Sequence, residues 1–266
     1  MGIPMSVDVR EGPEHGATGS REATEAVDAA FAVLRSADER FSPFLPESEL
    51  NRYARGETAA SDDLREILDI AARAAAASGG AFTVRSPDGS LDTNGIVKGW
   101  AAQRAADVLV EHHLTSFCLN AGGDVVTRGE PEPGRPWRTG VRDPWDPRRM
   151  VAVVEQRDGA VATSGTYERG AHVWDGRTGE PARCLVAATV VAADLTTADV
   201  LATSVLALGP DEVPWAIEQG AREAFAILPD GRVLRGAVLG DAGRVPTPAA
   251  ASSPQRLRDR LTVDRP

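Results

Sequence analysis

Apolar residues recur with helical periodicity through the first half of the chain. Val27, Phe31 and Leu34 are spaced four and three residues apart and mark the buried face of an amphipathic helix. Ser61 has the chemistry of an N-cap residue before a second periodic segment. The pattern predicts three helices, over residues 20–40, 61–77 and 96–112. Residues 41–50 contain two prolines and two aromatic residues that we expect to be exposed, so this segment is predicted to be irregular.

Short apolar and β-branched runs replace the helical pattern in the second half of the chain. Strands are predicted at residues 3–9, 81–84, 117–119, 137–141, 151–155, 161–163 and 185–192, and as a hairpin over 224–234. The run from Leu185 to Ala192 is continuously apolar, which is typical of a strand in the centre of a sheet. Two further helices are predicted over residues 196–208 and 210–220.

This order of elements predicts an α+β fold. No internal repeat and no linker divides the chain, so we expect a single domain over residues 1–245, with mixed β-sheets and flanking helices. Residues 246–266 are rich in Ala, Ser, Pro and Arg, a composition that predicts a disordered tail.

The composition excludes several classes of protein. A formal net charge of −10 argues against binding nucleic acid or an anionic membrane through net charge. The chain has no apolar run of about 18 residues and no signal-peptide pattern at its N-terminus, so we expect a cytoplasmic protein without a membrane span. Cys118 and Cys184 lie in apolar runs and are expected to be buried and unpaired. The four histidines form no zinc-binding cluster with them.

Lys98 occupies an unusual position for a cation. Asn94-Gly95 predicts a turn, and Lys98 then falls in the first turn of the helix that follows. The helix dipole disfavours a positive charge there, whereas an anion held at that end would remove the conflict. An ordinary loop–helix–strand connection explains these residues equally well.

Asp199 and Thr203 are four residues apart on a predicted helix, so their oxygens project from one face. Such a pair can share a hard cation, provided that carbonyls, water or substrate phosphates supply further oxygens. The alternative is structural, because Asp199 also suits a helix start and Thr203 can bond back to the helix. His172, with Asp175 three residues later, is a candidate general base, although a single histidine is more often structural.

Several segments, in this order and at this spacing, resemble the motifs of the ApbE family of FAD:protein FMN transferases. They are residues 1–4, 41–50, 92–99, 120–124, 163–169, 172–179 and 197–203. The resemblance extends from the first residues to about Gly209. Each motif alone is weak evidence, but the series is specific.

The resemblance implies an enzyme that binds FAD and Mg²⁺, transfers FMN to a Ser or Thr hydroxyl of an acceptor flavoprotein, and releases AMP. Asp199, Thr203 and the backbone carbonyl of Gly95 would hold the metal. Lys98 would approach the diphosphate, and His172 would take the proton from the acceptor hydroxyl. The residues that match the flavin-binding stretches of the family are Phe44, Ala81, Phe82, Thr83, Asp92 and Val173.

Four residues depart from the pattern of the family: Ala54, Thr83, Gln103 and Gly176. These departures leave three functions open. The chain could transfer FMN, hydrolyse FAD to FMN and AMP, or bind a flavin without catalysis.

Overall fold

A computed structural model describes residues 3–10, 17–166 and 173–237. The helices in these ranges are α1 (Ala17–Phe41), α2 (Glu49–Ala54), α3 (Asp62–Ala77), α4 (Asn94–Glu111), α5 (Leu195–Leu208) and α6 (Val213–Glu218). The strands are β1 (Met5–Val9), β2 (Phe117–Ala121), β3 (Asp124–Arg128), β4 (Trp137–Arg142), β5 (Met150–Gln156), β6 (Gly159–Gly165), β7 (Trp174–Asp175), β8 (Glu180–Pro181), β9 (Ala187–Ala192), β10 (Glu223–Ile227) and β11 (Val233–Ala237). His172 and the predicted tail lie outside the described residues.

A seven-stranded sheet organises the molecule. Its strand order is β1-β2-β3-β6-β9-β10-β11, and neighbouring strands run antiparallel. The strand β9 lies inside the sheet and is buried at all six of its positions, which confirms the prediction made from its continuous apolar run. Separate two-stranded hairpins are formed by β4 with β5 and by β7 with β8. The α+β class is confirmed.

The two faces of the sheet are covered differently. Residues alternate in β6, so that Ala160 and Ala162 join the large core under the helices while Val161 points to the opposite face. On that opposite face, Val161 packs with Val191 and Phe225 beneath the β4–β5 hairpin. Each buried Val or Phe side chain contributes roughly 1.5–3 kcal/mol. The sheet is therefore covered on both sides, by helices on one and by a hairpin on the other.

Local capping explains where the helices begin. The Ser61 hydroxyl accepts the Leu64 N–H at 3.2 Å, which confirms Ser61 as the N-cap of α3. At the start of α5, the Asp194 carboxylate accepts the Thr197 N–H at 2.8 Å. The helix α5 ends at Gly209, whose φ of 105° suits glycine.

The segment after α1 differs from the expectation. Phe44 is 81% exposed as expected, but Phe41 is only 1% exposed, because its ring packs edge to face against Trp100 at 5.8 Å between centroids. The expectation of two exposed aromatic residues was therefore wrong for Phe41. The segment is also partly helical, since α2 begins at Glu49 with Ser48 as its N-cap.

Three other expectations were wrong. Asn94 and Gly95 are the first two residues of α4 instead of a preceding turn, because Asp92 accepts the Asn94 N–H at 2.9 Å and helps to start the helix. Residues 81–84 form no strand; next to them lies an isolated bridge between Arg85 and Leu91. Of the two unpaired cysteines, which were expected to be buried, Cys184 is exposed and Cys118 is half-buried. Among the described helices, none is long and apolar enough to cross a lipid bilayer.

Candidate functional site

A pocket opens where the N-terminal turn of α4 and the middle of α5 meet the end of β6. Its lining includes most of the residues that were predicted to form the site. These are Phe44, Phe82, Thr83, Asp92, Gly95, Lys98, Val173, Asp199 and Thr203. The structure therefore brings together segments that lie far apart in the sequence.

Gly99 allows the two helices to approach closely. Its backbone N–H donates to Asp199 Oδ2 at 2.9 Å. A Cβ atom at position 99 would lie 2.6 Å from Asp199 Cβ and 2.7 Å from the carbonyl oxygen of Leu195. These separations are shorter than van der Waals contact, so only glycine permits this crossing of α4 and α5. Sequence reasoning did not single out Gly99 for this role.

Lys98 and Asp199 form the floor of the pocket, and Asp124, which does not line the pocket, pairs with Lys98. Lys98 Nζ lies 2.6 Å from Asp124 Oδ2 and 3.3 Å from Asp199 Oδ1. The side chains of Lys98, Asp124 and Asp199 are 22%, 2% and 1% exposed. We call these three residues the pocket cluster. Sequence reasoning placed Asp124 in a motif but assigned it no role in the site.

With both carboxylates ionised, the pocket cluster carries one net negative charge, and its pKa values reflect the burial of that charge. Burial raises the pKa of Asp199 to about 7; the Asp124 charge adds to this effect, and Lys98 and the Gly99 N–H oppose it. Burial alone would lower the pKa of Lys98, but the charges of Asp124 and Asp199 hold this pKa above its ordinary value. Lys98 is therefore a permanent cation in the site.

Oxygen atoms beside the pocket cluster complete the corner that was predicted to hold a metal. Thr203 Oγ1 lies 2.9 Å from Ser164 Oγ at the end of β6. Gly95 lies next to Thr203, as shown by the 3.5 Å that would separate a Cβ atom at Gly95 from Thr203 Oγ1. The described residues contain no group of three or more His, Cys, Asp and Glu side chains that could hold a metal ion. A cation here would depend on hydroxyl and carbonyl oxygens beside Asp199.

Aromatic and aliphatic side chains form the opposite wall of the pocket. Phe82 is buried and Phe44 is exposed at the opening, with Val173 between the pocket and the core. Ala81 does not line the pocket; it is buried behind the wall, and its carbonyl accepts the Gly176 N–H at 2.9 Å. At Gly176, a Cβ atom would lie 2.4 Å from the carbonyl oxygen of Gly80, so glycine lets the β7–β8 hairpin lie against this wall.

Two of the remaining departures from the family pattern lie away from the pocket. The Gln103 side chain accepts the Leu195 N–H at 2.9 Å and donates to Asp107, so it joins α4 to the start of α5. Ala54 is exposed at the end of α2. His172, the proposed base, lies outside the described residues, whereas its neighbour Val173 lines the pocket.

Comparison with known proteins decides the family. The model of the ApbE family matches residues 83–228 of this chain. The chain belongs to the ApbE family. The FAD:protein FMN transferase of Klebsiella pneumoniae (strain 342) is 29% identical over 155 residues, which cover 54% of this chain and 44% of that protein. The FAD:protein FMN transferase of Rhodobacter capsulatus is 33% identical over 164 residues, 57% of this chain and 31% of that protein. This ApbE chain thus spans less than half the length of these curated relatives.

Solved structures of the family share the fold. The flavin transferase ApbE from Vibrio cholerae superposes with a TM-score of 0.73 at 22% identity, covering 89% of this chain and 94% of that chain. The ApbE protein from Thermotoga maritima gives a TM-score of 0.70 at 22% identity, covering 80% of this chain and 89% of that chain. The ApbE fold therefore extends well beyond the segment that the family model matches.

Proposed function

We propose that this ApbE chain is a Mg²⁺-dependent FAD:protein FMN transferase. It would move FMN from FAD onto a Ser or Thr hydroxyl of an acceptor flavoprotein and release AMP. The observation that carries the proposal is the net negative pocket cluster, whose Asp199 and Lys98 line the same pocket as Thr203 and Gly95. The names of the curated relatives support the same activity.

The charge of the pocket cluster calls for a divalent cation if a diphosphate is to bind. When both carboxylates are ionised they outweigh the one ammonium, so the pocket cluster would repel the negative oxygens of FAD. Phosphoryl transfer depends on positioning and on neutralising charge, more than on covalent help from the protein. A bound Mg²⁺ would make the net charge of the pocket cluster positive, and it would neutralise negative charge on the diphosphate oxygens.

The residues present fit a small, hard cation. Asp199 supplies a buried carboxylate oxygen and Thr203 a hydroxyl, and oxygen ligands are those that Mg²⁺ prefers. In a regular helix the Gly99 N–H would donate to the Gly95 carbonyl, four residues earlier. Here the same N–H donates to Asp199 at 2.9 Å, and because a carbonyl oxygen has two lone pairs, the Gly95 carbonyl has capacity to bind a cation.

The other residues of the pocket would bind and orient the substrate. The Lys98 ammonium would contact the diphosphate. The wall of Phe82, Val173 and the exposed Phe44 provides apolar surface for the isoalloxazine ring, and Thr83 and Asp92 provide polar groups at its edge. Ala81 would support this wall through its backbone.

The proposed reaction exchanges one P–O bond for another. The acceptor hydroxyl oxygen forms a bond to the phosphorus atom of the FMN moiety, and the bond from this phosphorus to the oxygen of AMP breaks. AMP leaves with the electron pair of that bond. The proton of the acceptor hydroxyl passes to His172, the proposed base.

Incubation of the protein with FAD, Mg²⁺ and a peptide with a Ser/Thr-Gly-Ala-Thr sequence tests the proposal. We expect mass spectrometry to detect FMN attached to the peptide, together with AMP, and we expect a chelator to stop both. A control peptide in which Ala replaces the acceptor residue should stay unmodified. Free FMN and AMP with bare peptide would identify a hydrolase instead, and intact FAD bound to the protein would identify a binding protein.

A further inference from the structure

Lys98 is the only lysine of the chain, and every other member of its 29 Lys and Arg residues is arginine. An ammonium is a compact charge on a flexible stem, whereas a guanidinium is a wide planar fork. The compact charge suits the buried position of Lys98, with one carboxylate oxygen at 2.6 Å and another at 3.3 Å. The pocket cluster thus contains a cation that can change partners by a small movement.

The two carboxylates of the pocket cluster hold Lys98 unequally. The ammonium is closer to Asp124, and apart from this ion pair Asp124 Oδ2 has no hydrogen-bond partner among the described residues. The other oxygen, Oδ1, accepts the Thr163 N–H at 2.9 Å and so fixes the carboxylate to the edge of β6. Asp124 is 2% exposed and does not line the pocket. It can therefore influence a bound substrate chiefly through Lys98.

Asp199 has one oxygen to share. Its Oδ2 accepts the Gly99 N–H, and its Oδ1 faces Lys98. A divalent cation bound by Asp199 would repel an ammonium at 3.3 Å, because two positive charges would compete for one carboxylate. A second carboxylate that retains the ammonium removes this competition.

We infer that Asp124 is a positioning residue for Lys98. Asp124 retains the Lys98 ammonium when a divalent cation binds to Asp199. The inference rests on the proposed function and deepens it, because it separates the roles of two neighbouring carboxylates. Asp199 binds the metal ion. Asp124 holds the lysine that contacts the diphosphate and keeps it from occupying the place of the metal ion.

Calorimetric titration with Mg²⁺ alone, without FAD, tests the inference. The variants are Asp124→Asn, Lys98→Met and the double variant; Asn retains an oxygen for the Thr163 N–H and so preserves that part of the fold. We expect Asp124→Asn to weaken Mg²⁺ binding about tenfold or more, since the freed ammonium then competes for Asp199. In the Lys98→Met background, the same change should alter affinity by less than about twofold. An equal loss of Mg²⁺ affinity in both backgrounds would show that the charge of Asp124 acts directly on the metal ion. That result would overturn the inference.

A matched control removes another buried carboxylate. Asp143 is 8% exposed, accepts the N–H groups of Trp145 and Asp146, and lies outside the pocket. We expect Asp143→Asn to leave the affinity for Mg²⁺ unchanged. A loss as large as that of Asp124→Asn would mean that overall charge, not position, controls metal binding, and it would overturn the inference.

The single lysine permits a test that needs no substitution. Protein grown with ¹³C-labelled lysine has one lysine side chain to report on, and therefore one set of NMR signals. We expect Mg²⁺ to shift the Cε signal of Lys98, because Asp199 then binds the metal ion instead of the ammonium. The signal should stay distinct from that of free lysine, because Asp124 still pairs with Lys98. In Asp124→Asn saturated with Mg²⁺, neither carboxylate holds the ammonium, so the signal should move to the free-lysine position. An unmoved wild-type signal, or one that reaches the free-lysine position, would contradict the inference.

The outcomes separate this inference from the proposed function. If the wild-type protein shows neither calorimetric binding of Mg²⁺ nor a shift of the Lys98 signal, the metal-dependent function fails, and the inference fails with it. If Mg²⁺ binds and Asp124→Asn behaves like the wild-type protein, the inference alone fails.

Discussion

Two regions of the molecule hold one cation between two carboxylates, yet they differ in almost every other respect. One is the pocket cluster. The other lies where the end of α1 meets the starts of α2 and α3, and we call it the helix cluster. It consists of Arg40, Glu49, Ser61 and Asp63. The Arg40 guanidinium donates to Glu49 at 2.9 Å, to Asp63 at 2.6 Å and to the Ser61 hydroxyl at 2.9 Å.

The difference lies in how each carboxylate is compensated. In the helix cluster, partial burial acts to raise the pKa of Glu49, but hydrogen bonds from Ser61 and Arg40 outweigh it and lower this pKa. In the pocket cluster, burial prevails and raises the pKa of Asp199 to about 7. The Asp63 side chain is 34% exposed, whereas Asp199 is 1% exposed. The same charges therefore form a structural ion-pair network where hydrogen bonds and exposure to water compensate them, and a candidate ligand site where burial prevails.

Asp199→Asn should have the largest effect on activity and little effect on folding. We expect flavin transfer to fall by roughly 100-fold or more, because the metal ion loses its carboxylate. The free energy of unfolding without metal should change little or rise, because the variant removes a buried charge. Single-turnover transfer assays and thermal unfolding in a chelator measure the two effects. Wild-type turnover at limiting Mg²⁺ would contradict the metal assignment.

The pH dependence of the same variant sharpens the comparison. The pKa of Asp199 is raised to about 7 in the folded protein, above its value near 3.9 in the unfolded chain. The folded state therefore binds this proton more tightly than the unfolded chain does. The stabilisation that results from this proton is complete below about pH 4 and is lost as the pH rises through 7. Metal-free Asp199→Asn should lack this loss, which falls between about pH 4 and pH 7.

Gly99→Ala should damage the pocket cluster by a steric route. In most helix interiors this substitution stabilises by up to about 1 kcal/mol. Here the new Cβ would lie 2.6 Å from Asp199 Cβ, so we expect a loss of about 1–3 kcal/mol in the free energy of unfolding. Transfer activity should fall as well, because Asp199 is displaced. Denaturant unfolding and the transfer assay measure these losses.

Gly236→Ala on β11 is the matched control. A Cβ atom there would meet its nearest neighbours at 3.4 Å, which is ordinary contact. We expect the free energy of unfolding to change by no more than about 0.5 kcal/mol. If the two alanine variants lost the same free energy of unfolding, the close crossing of α4 and α5 would not be the cause of the loss in Gly99→Ala.

Local pattern was sufficient for most of the fold but not for its contacts. Val27, Phe31 and Leu34 all lie in the core as their spacing predicts. Phe41 and Phe44 look alike in the sequence, but only Phe41 finds a partner, Trp100, from a distant helix. Periodicity reports which face of an element is apolar, and it contains no information about which distant residue will cover a neighbouring loop.

The candidate site divides in the same way. The spacing of Asp199 and Thr203 was visible because both lie on one helix, and the structure places both in the pocket. Asp124 was missed as a partner of Lys98, because the contact depends on how β3 lies against α4. One signal was available: Asp124 directly precedes Val125 and Val126 in a short strand, and a carboxylate buried in such a strand requires a partner for its charge.

Glu49→Gln in the helix cluster should have the smallest effect on activity and the opposite pH dependence. We expect a loss of about 0.5–1.5 kcal/mol in the free energy of unfolding near neutral pH, with flavin transfer unchanged, because Glu49 lies outside the pocket. The pKa of Glu49 is lowered by folding, so its contribution is present above the unfolded value near 4.3 and is lost as the pH falls through the folded value. Urea unfolding should therefore show that the free energies of unfolding of wild type and variant converge in acid. A difference that persists in acid would mean that the stability of the helix cluster does not depend on the charge of Glu49.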